Sequence, residues 1–535
     1  MRWALVSRRL LWILRKDATP QSSDTLAAKA ASGLGWNLAG FAVRAGAGFG
    51  INIVLARLLG PAPFGLVAIA MVVIALGNLL VDSGLSVQLI RNATISAKEV
   101  RGVFTLQVLL GLVLAAGTIL SIPLITALLK QEAARPVMRA LAFMLIIISA
   151  GQTSTALLRR DLRFEAIQKI QIISYLIGYG ALGIPLAYAG AGVWTLVWAQ
   201  LTQAVLCTVM SWALVRHSLL PYIGPESAVL LRFGSFLAGS NVVSWSIGAM
   251  PNFLIGRTLG PAQLGLYNRA YMLVGVPSTA LVSPVQTVSL SLYSRLQGNE
   301  GTVRRSFLAI VAAIALLAFP FFLLVAGTAG TLIQVVLGHK WSGAAPILIP
   351  LAFGVCFDAI AAVCSPLLIS RGRPDLDLRT QIIAAAVGGV SLAVAAWANS
   401  PLLTLAWTVC VCLYLVRAAA ATVFVKRELS IPWPRFARAP LGGVLLGAVA
   451  LIVAGTLNLR LAAWAAWPRL LLSGGAGLGA MIAAIFLFPR TLLYRDLFWL
   501  VSGRGLPIPS RIDKWLRSLS PREDQVSVFY SQPAL

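Results

Sequence analysis

ARLLGPAPFGL at 56–66 and GRTLGPAQLGL at 256–266 decide how this 535-residue chain is read. Counted from Arg57 and Arg257, seven of ten positions are identical at an offset of 200 residues. Upstream, Leu38-Ala39-Gly40 is echoed by Leu237-Ala238-Gly239. Each copy lies between two long apolar runs, so one ancestral unit is used twice. The local physics is that of a helix stopping and its successor starting. Gly60 and Gly260 tolerate a positive φ, Pro61 and Pro261 cannot continue the preceding ladder, and Gly65 and Gly265 permit close approach of another segment. The stretch predicts a helical hairpin with an arginine at its mouth.

Working outward, the flanking runs set the class. Hydrophobic residues make up 59% of the chain and charged residues 11%, with a mean hydropathy of +0.86, which excludes a hydrated globular surface. Apolar runs of spanning length recur from 33–56 to 470–489, fourteen in all, where about 20 residues suffice to cross a bilayer. The predicted fold is an all-α polytopic membrane protein of about fourteen transmembrane helices. The net charge of +26 then has a topological meaning. With the N-terminus inside, alternate connections and both tails carry 32 of the 43 Lys and Arg. That asymmetry places both termini in the cytoplasm and puts the basic loops against an anionic leaflet, with no call for nucleic acid.

The repeat divides the chain. Residues 1–32 are a basic interfacial segment, interrupted by charge and without a small-residue cleavage site. An N-lobe of six helices spans 33–215, a cytoplasmic linker 216–232 and a C-lobe of six helices 233–424. Because six is even, the lobes are parallel repeats about an axis along the membrane normal. Helices 13 and 14, at 439–489, lie outside the duplication, and 490–535 is a cytoplasmic tail.

Five ionisable residues fall within spans: Arg44, Asp82, Arg269, Asp358 and Arg417. An unpaired charge at the bilayer centre costs at least ~2.5–3.5 kcal/mol, so each needs a partner or a wet cavity. Helix rise puts Arg44 level with Asp82, and Asp358 level with Arg269 or a little above Arg417. Arg44, Arg269 and Arg417, with Arg57 and Arg257 at the outward helix ends, form a candidate cationic lining for an anionic substrate. The competing reading is that Arg44 and Asp82 are a structural pair and that Arg57 and Arg257 only satisfy terminal carbonyls. Asp82 and Asp358 are candidates for coupling or for charge pairing. Asn37, Asn52, Asn241, Asn252 and Gln286 either line a polar cavity or bond between helices. The five cysteines fall inside apolar runs and histidines number two, so neither a metal site, a disulfide framework nor a cofactor is expected.

LARLLGPAPFGLVAIA with VDSGLSVQLIR (81–91), LLRRDLRFEA (157–166), AGAGVWTLVWAQL (189–201), VLGHKWSGAAPIL (336–348) and LLISRGRPD (367–375) together resemble the polysaccharide-transport family of the multidrug/oligosaccharidyl-lipid/polysaccharide exporter superfamily. The resemblance runs from about residue 30 to 430. It implies a Wzx-type flippase that moves a polyprenyl-pyrophosphate-linked oligosaccharide across the bacterial inner membrane for lipopolysaccharide or exopolysaccharide synthesis. It further implies a V-shaped pair of lobes that alternate in access, contact with membrane lipids, and polymerase and co-polymerase proteins as partners. In related lipid flippases, arginines of helices 1, 2 and 8 bind pyrophosphate and helices 13 and 14 make a groove for the lipid tail. Arg44 and Arg269 sit on the first and eighth helices, whereas the second carries only Asp82.

Two other classes compete. A drug or metabolite antiporter of the same superfamily calls for an acidic cavity, against three intramembrane arginines and two aspartates here. A membrane glycosyltransferase or polymerase calls for catalytic groups on a substantial outer loop. The outward loops are short, so a carrier rather than an enzyme is expected.

Overall fold

The computed structural model describes residues 46–81, 89, 95–222, 226–296, 299–488 and 492, with backbone alone at 226–244, 247, 291, 294 and 295. Every regular element among the described residues is helical. In chain order these are α1 (Gly46–Leu59), α2 (Pro61–Val81), α3 (Ala97–Leu129), α4 (Arg135–Arg160), α5 (Phe164–Tyr188) and α6 (Val193–Val215). After the connection come α7 (226–259), α8 (261–295), α9 (Glu300–Gly327), α10 (Ala345–Ser370), α11 (Pro374–Trp397) and α12 (Leu402–Glu428). The last two are α13 (Trp433–Arg460) and α14 (Ala466–Leu487).

Twelve described helices are long and apolar enough to cross a membrane, against the fourteen spans expected. The difference has two sources. Within the described residues α1 is shorter than a span, and α7 and α8 run on as one helix broken only at Gly260, where φ is 83° and ψ 178°. The basic segment 1–32 lies outside the described residues, as does the tail 490–535 apart from Leu492.

The repeated stretch forms the predicted turn twice. Gly60 takes φ 77° and donates its N–H to the Ala56 carbonyl at 3.2 Å, and Gly260 takes φ 83°. Both angles lie where only glycine is free of Cβ strain. The two copies also pack on one another. A Cβ on Gly65 would fall on the carbonyl of Pro261, and a Cβ on Gly265 would fall on the carbonyl of Pro61. The contact is reciprocal, as a local two-fold relation between duplicated segments requires. Gln131, in the connection after α3, adds a hydrogen bond from Nε2 to the Gly256 carbonyl at 3.3 Å. Two compact units make up the chain, Met1–Asn268 and Arg269–Leu535. They divide inside α8 because the second turn packs on the first.

The duplication appears again in the backbone farther along. α4 and α10 are both 26 residues long and lie 210 positions apart, each with proline at its second residue. The turns that follow match bond for bond. Leu162 (φ 55°) and Gly372 (φ 71°) hold the left-handed position. The N–H groups of Arg163 and Arg373 return to the carbonyls of Leu158 and Leu368, both at 2.9 Å. The offset grows from 200 to 210 because the second unit inserts a short helix, Ala329–Val336, and a longer 3-10 turn, His339–Ala344, where the first has only Glu132–Ala134.

Helix α13 belongs to the second unit by packing. Gly443 and Gly447 bring its backbone onto that of α9 at Ala315 and Phe319, a close approach that any larger side chain would prevent.

Candidate functional site: charges and tyrosines within the membrane

In the second unit, α10 and α12 bring Asp358 and Arg417 together. Arg417 donates from Nη1 to Asp358 Oδ1 at 2.8 Å. The side chains keep 30% and 29% of their exposure, so the pair is not sealed in the core. Asp358 lies twelve residues before the end of α10, about 18 Å along the helix and close to its middle. Of the two partners expected for Asp358, the structure brings up Arg417.

The segment Val409–Leu415 of α12 is π-helical and ends two residues before Arg417. Such wide turns re-aim the side chains around them. Here one lays the Tyr414 ring against Gly354 of α10, where a Cβ would come within 2.5 Å of the ring. Tyr414 shares a side-chain hydrogen bond with Tyr271 of α8, and Tyr271 is within electrostatic reach of Asp358. The tyrosines thus join the ion pair to α8, a contribution that reading by charge alone missed.

Arg269 is half-buried on α8, two residues from Tyr271, with Nη1 3.2 Å from Met272 Sδ. Arg57, at the end of α1, is exposed and Arg257, at the end of α7, is half-buried. Both sit where a cation complements the terminal carbonyls of a helix. Arg44 and Asp82 lie outside the described residues.

The first unit holds a neutral cluster. Asn52 of α1 donates from Nδ2 to the Tyr175 hydroxyl at 2.7 Å and to the Gly48 carbonyl at 2.9 Å. Tyr175 in turn donates to the Gly48 carbonyl at 3.3 Å. Its ring stacks on Tyr179, with centroids 4.7 Å apart and planes 18° from parallel. The sequence marked Asn52 but not its aromatic partners, although tyrosines four residues apart on a helix face are a visible signal.

The connection after α6 is strapped to the first unit. Arg101 donates to the carbonyls of Leu220 and Pro221 at 3.1 and 3.2 Å, and the Tyr222 N–H donates to Thr105 Oγ1 at 2.9 Å. His217 packs against Phe104, with Nδ1 3.1 Å from the Ser218 carbonyl and Nε2 2.9 Å from Ser154 Oγ. A carbonyl only accepts, so Nδ1 carries the proton and Nε2 accepts from the serine. Burial holds the imidazole below its ordinary pKa, against a smaller upward pull from the Ser218 bond.

Comparison with known proteins places this architecture. The model of the polysaccharide biosynthesis protein family matches residues 54–346, more than half of the chain. The lipopolysaccharide biosynthesis protein WzxC of Escherichia coli K12 is 25% identical over 370 residues, 67% of this chain and 73% of that protein. The teichuronic acid biosynthesis protein TuaB of Bacillus subtilis 168 is 26% identical over 333 residues, 62% of this chain and 68% of that one. Among solved structures, the lipid II flippase MurJ in an inward closed conformation superposes with a TM-score of 0.67. At 14% identity it covers 86% of this chain and 100% of its own, a likeness of fold. Twelve membrane-length helices, a twice-used Gly-Pro turn and that family match lead to one conclusion: the chain is a multi-pass membrane protein of the polysaccharide biosynthesis protein family.

Proposed function

We propose that this protein is a flippase, not an enzyme, that carries a polyprenyl-pyrophosphate-linked oligosaccharide from the cytoplasmic to the outer face of the bacterial inner membrane. Both termini would be cytoplasmic, and the step would serve lipopolysaccharide or exopolysaccharide assembly. The observation that supports it best is the Asp358–Arg417 pair, with Asp358 near the middle of a membrane-length helix, nearly a third of each side chain uncovered and a third charge, Arg269, on the neighbouring α8. Hydrocarbon does not tolerate a part-exposed guanidinium, whereas a wet path for a diphosphate requires one. Duplication of the first hairpin and of α4 with its following turn supports alternating access of two repeats. The names of the relatives, biosynthesis proteins of lipopolysaccharide and teichuronic acid, support a glycan cargo.

The test is leaflet-resolved transport of a fluorescent polyprenyl-pyrophosphoryl oligosaccharide in proteoliposomes, with wild type, Arg269→Ala and Arg417→Ala at equal incorporation. Movement by wild type and loss in the variants is expected. If wild type moves no member of a panel of such lipids but does move a cationic drug, the flippase reading gives way to an antiporter.

A further inference from the structure

Two ion pairs of the second unit are built differently. Arg371 meets Glu300 as a fork, Nη1 to Oε1 at 2.6 Å and Nη2 to Oε2 at 2.7 Å. Arg417 meets Asp358 by a single bond, from Nη1 to Oδ1. Among the described residues neither side chain of this second pair makes a further hydrogen bond, so the guanidinium uses one of its five N–H groups and the carboxylate one of its two oxygens. The unused polar atoms are not among those buried without a partner, and they open on accessible space.

The first unit shows that the fold does not need a charge here. The turn between α5 and α6 matches that between α11 and α12, with Gly190 and Asn399 both left-handed and donating to the carbonyls of Ala187 and Ala396. Helices α4 and α6 are thus the counterparts of α10 and α12. Counted back 210 positions, Asp358 answers to Ile148, and counted back 210 or 209, Arg417 answers to Cys207 or Thr208. At that level the first unit fastens its two helices with a neutral bond, from Thr208 Oγ1 to the Ile147 carbonyl at 2.8 Å. The second unit has replaced a hydroxyl and a carbonyl by two charges. It has also added the π-helical stretch Val409–Leu415 just before Arg417, where α6 is regular from Val193 to Val215. A local departure from an internal repeat marks function more often than stability.

We propose that Asp358 is a built-in substitute for the cargo's diphosphate: it holds Arg417 by one bond while the site is empty, yields to the diphosphate, and expels it by pairing again. This rests on the flippase reading above. Diphosphate oxygens take the unused Nη2 and Nε as a fork, which a monodentate carboxylate cannot match. Exchange of one anion for another keeps the guanidinium paired throughout, so no bare charge is left inside the membrane. It also keeps affinity moderate, because an internal competitor lowers the fraction of open sites. Only side chains need to move. Tyr414, seated on Gly354 and bonded to Tyr271, holds α12 three residues before Arg417.

The experiment uses the full chain in nanodiscs with farnesyl diphosphate as probe and farnesol as control, binding being read by thermophoresis. Asp358→Asn should tighten the diphosphate by about three- to tenfold, and Arg417→Gln should weaken it by about tenfold. The double variant should bind like Arg417→Gln alone. In proteoliposomes Asp358→Asn should move a labelled polyprenyl-pyrophosphoryl oligosaccharide more slowly than wild type, although it binds the diphosphate more tightly. Unchanged or weaker binding by Asp358→Asn overturns the exchange and leaves the flippase reading standing. So does an equal tightening by Asp358→Asn in the Arg417→Gln background, which is simple repulsion. Wild type that binds the diphosphate no better than farnesol and moves no labelled lipid overturns both. Thermal unfolding in the same nanodiscs checks each variant, and Asp358→Ser, which fits the same space, replaces Asp358→Asn if that variant does not fold.

Discussion

The carbonyl of Pro261 occupies the space that a side chain on Gly65 would need, and the carbonyl of Pro61 does the same to Gly265. In an unpacked helix, glycine to alanine stabilises by about 1 kcal/mol. Here the sign should reverse. Gly65→Ala must move a backbone carbonyl, and overpacking of this kind costs about 1–3 kcal/mol. A lowered midpoint of thermal unfolding in detergent is expected for Gly65→Ala and for Gly265→Ala, and less than an additive loss for the double variant, since the first substitution already parts the segments. Gly117→Ala on α3, which meets nothing within 4 Å, should be neutral or stabilising. A stable Gly65→Ala would show that the two turns do not depend on this contact.

Asp358 and Arg417 should behave as a coupled pair. Breaking a fully buried pair costs about 3–5 kcal/mol, but these side chains keep nearly a third of their exposure, so about 1–2 kcal/mol is expected for either single alanine variant. The double variant should recover at least half of the summed loss, and Asp358→Arg with Arg417→Asp should recover part of it. Unfolding midpoints across this cycle provide the measurement. Strict additivity would mean that the 2.8 Å contact contributes nothing to stability.

Much of the fold was legible because its signals are local. Glycine before proline announced the turns at 60 and 260, run length announced the helices, and mid-span charges announced Asp358 and Arg417. What stayed hidden depends on partners distant in sequence. Nothing in 56–66 says that the close approach at Gly65 is made by Pro261. The match between the turns after α4 and α10 was not read from the sequence because backbone conformation carries most of it, with Leu162 and Gly372 holding the same left-handed position. The tyrosines were passed over because a phenol is unremarkable in an apolar run until Asn52 or Asp358 is seen beside it. Arg57 and Arg257 are placed at helix ends, and geometry alone assigns them no ligand.

His217 should make the strap at 216–222 sensitive to acid. Its pKa is lowered in the docked state, so docking is fully favoured above about pH 6.5, where the imidazole is neutral both docked and free. As pH falls below that value the free loop takes up a proton that the docked imidazole resists, and docking weakens. Hydrogen exchange of amides 216–222, corrected for intrinsic rates, should rise between pH 7.5 and 5.5 in wild type. His217→Gln, which keeps a side-chain acceptor for Ser154, should flatten the dependence. An unchanged pH response in that variant would assign it to another group.

Asn458 fastens the last two helices to the second unit. Its side chain accepts from the Thr331 hydroxyl and donates to the Gly327 carbonyl at 3.3 Å, while its own carbonyl accepts from Arg469 Nε at 2.8 Å. One buried residue of α13 thereby meets the end of α9, the inserted short helix and the start of α14. Asn458→Ala removes the side-chain partners and strands a buried hydroxyl and a carbonyl, at about 1–3 kcal/mol. Arg469→Ala leaves those two bonds intact and frees only the Asn458 carbonyl, so it should cost less. Because neither change touches the duplicated core, loosening should appear first in the connection 461–465. Faster labelling of a cysteine placed at exposed Trp464, without a matching change at exposed Trp397, would locate the effect there. Equal acceleration at both sites would mean that the whole unit had loosened and that Asn458 holds more than α14.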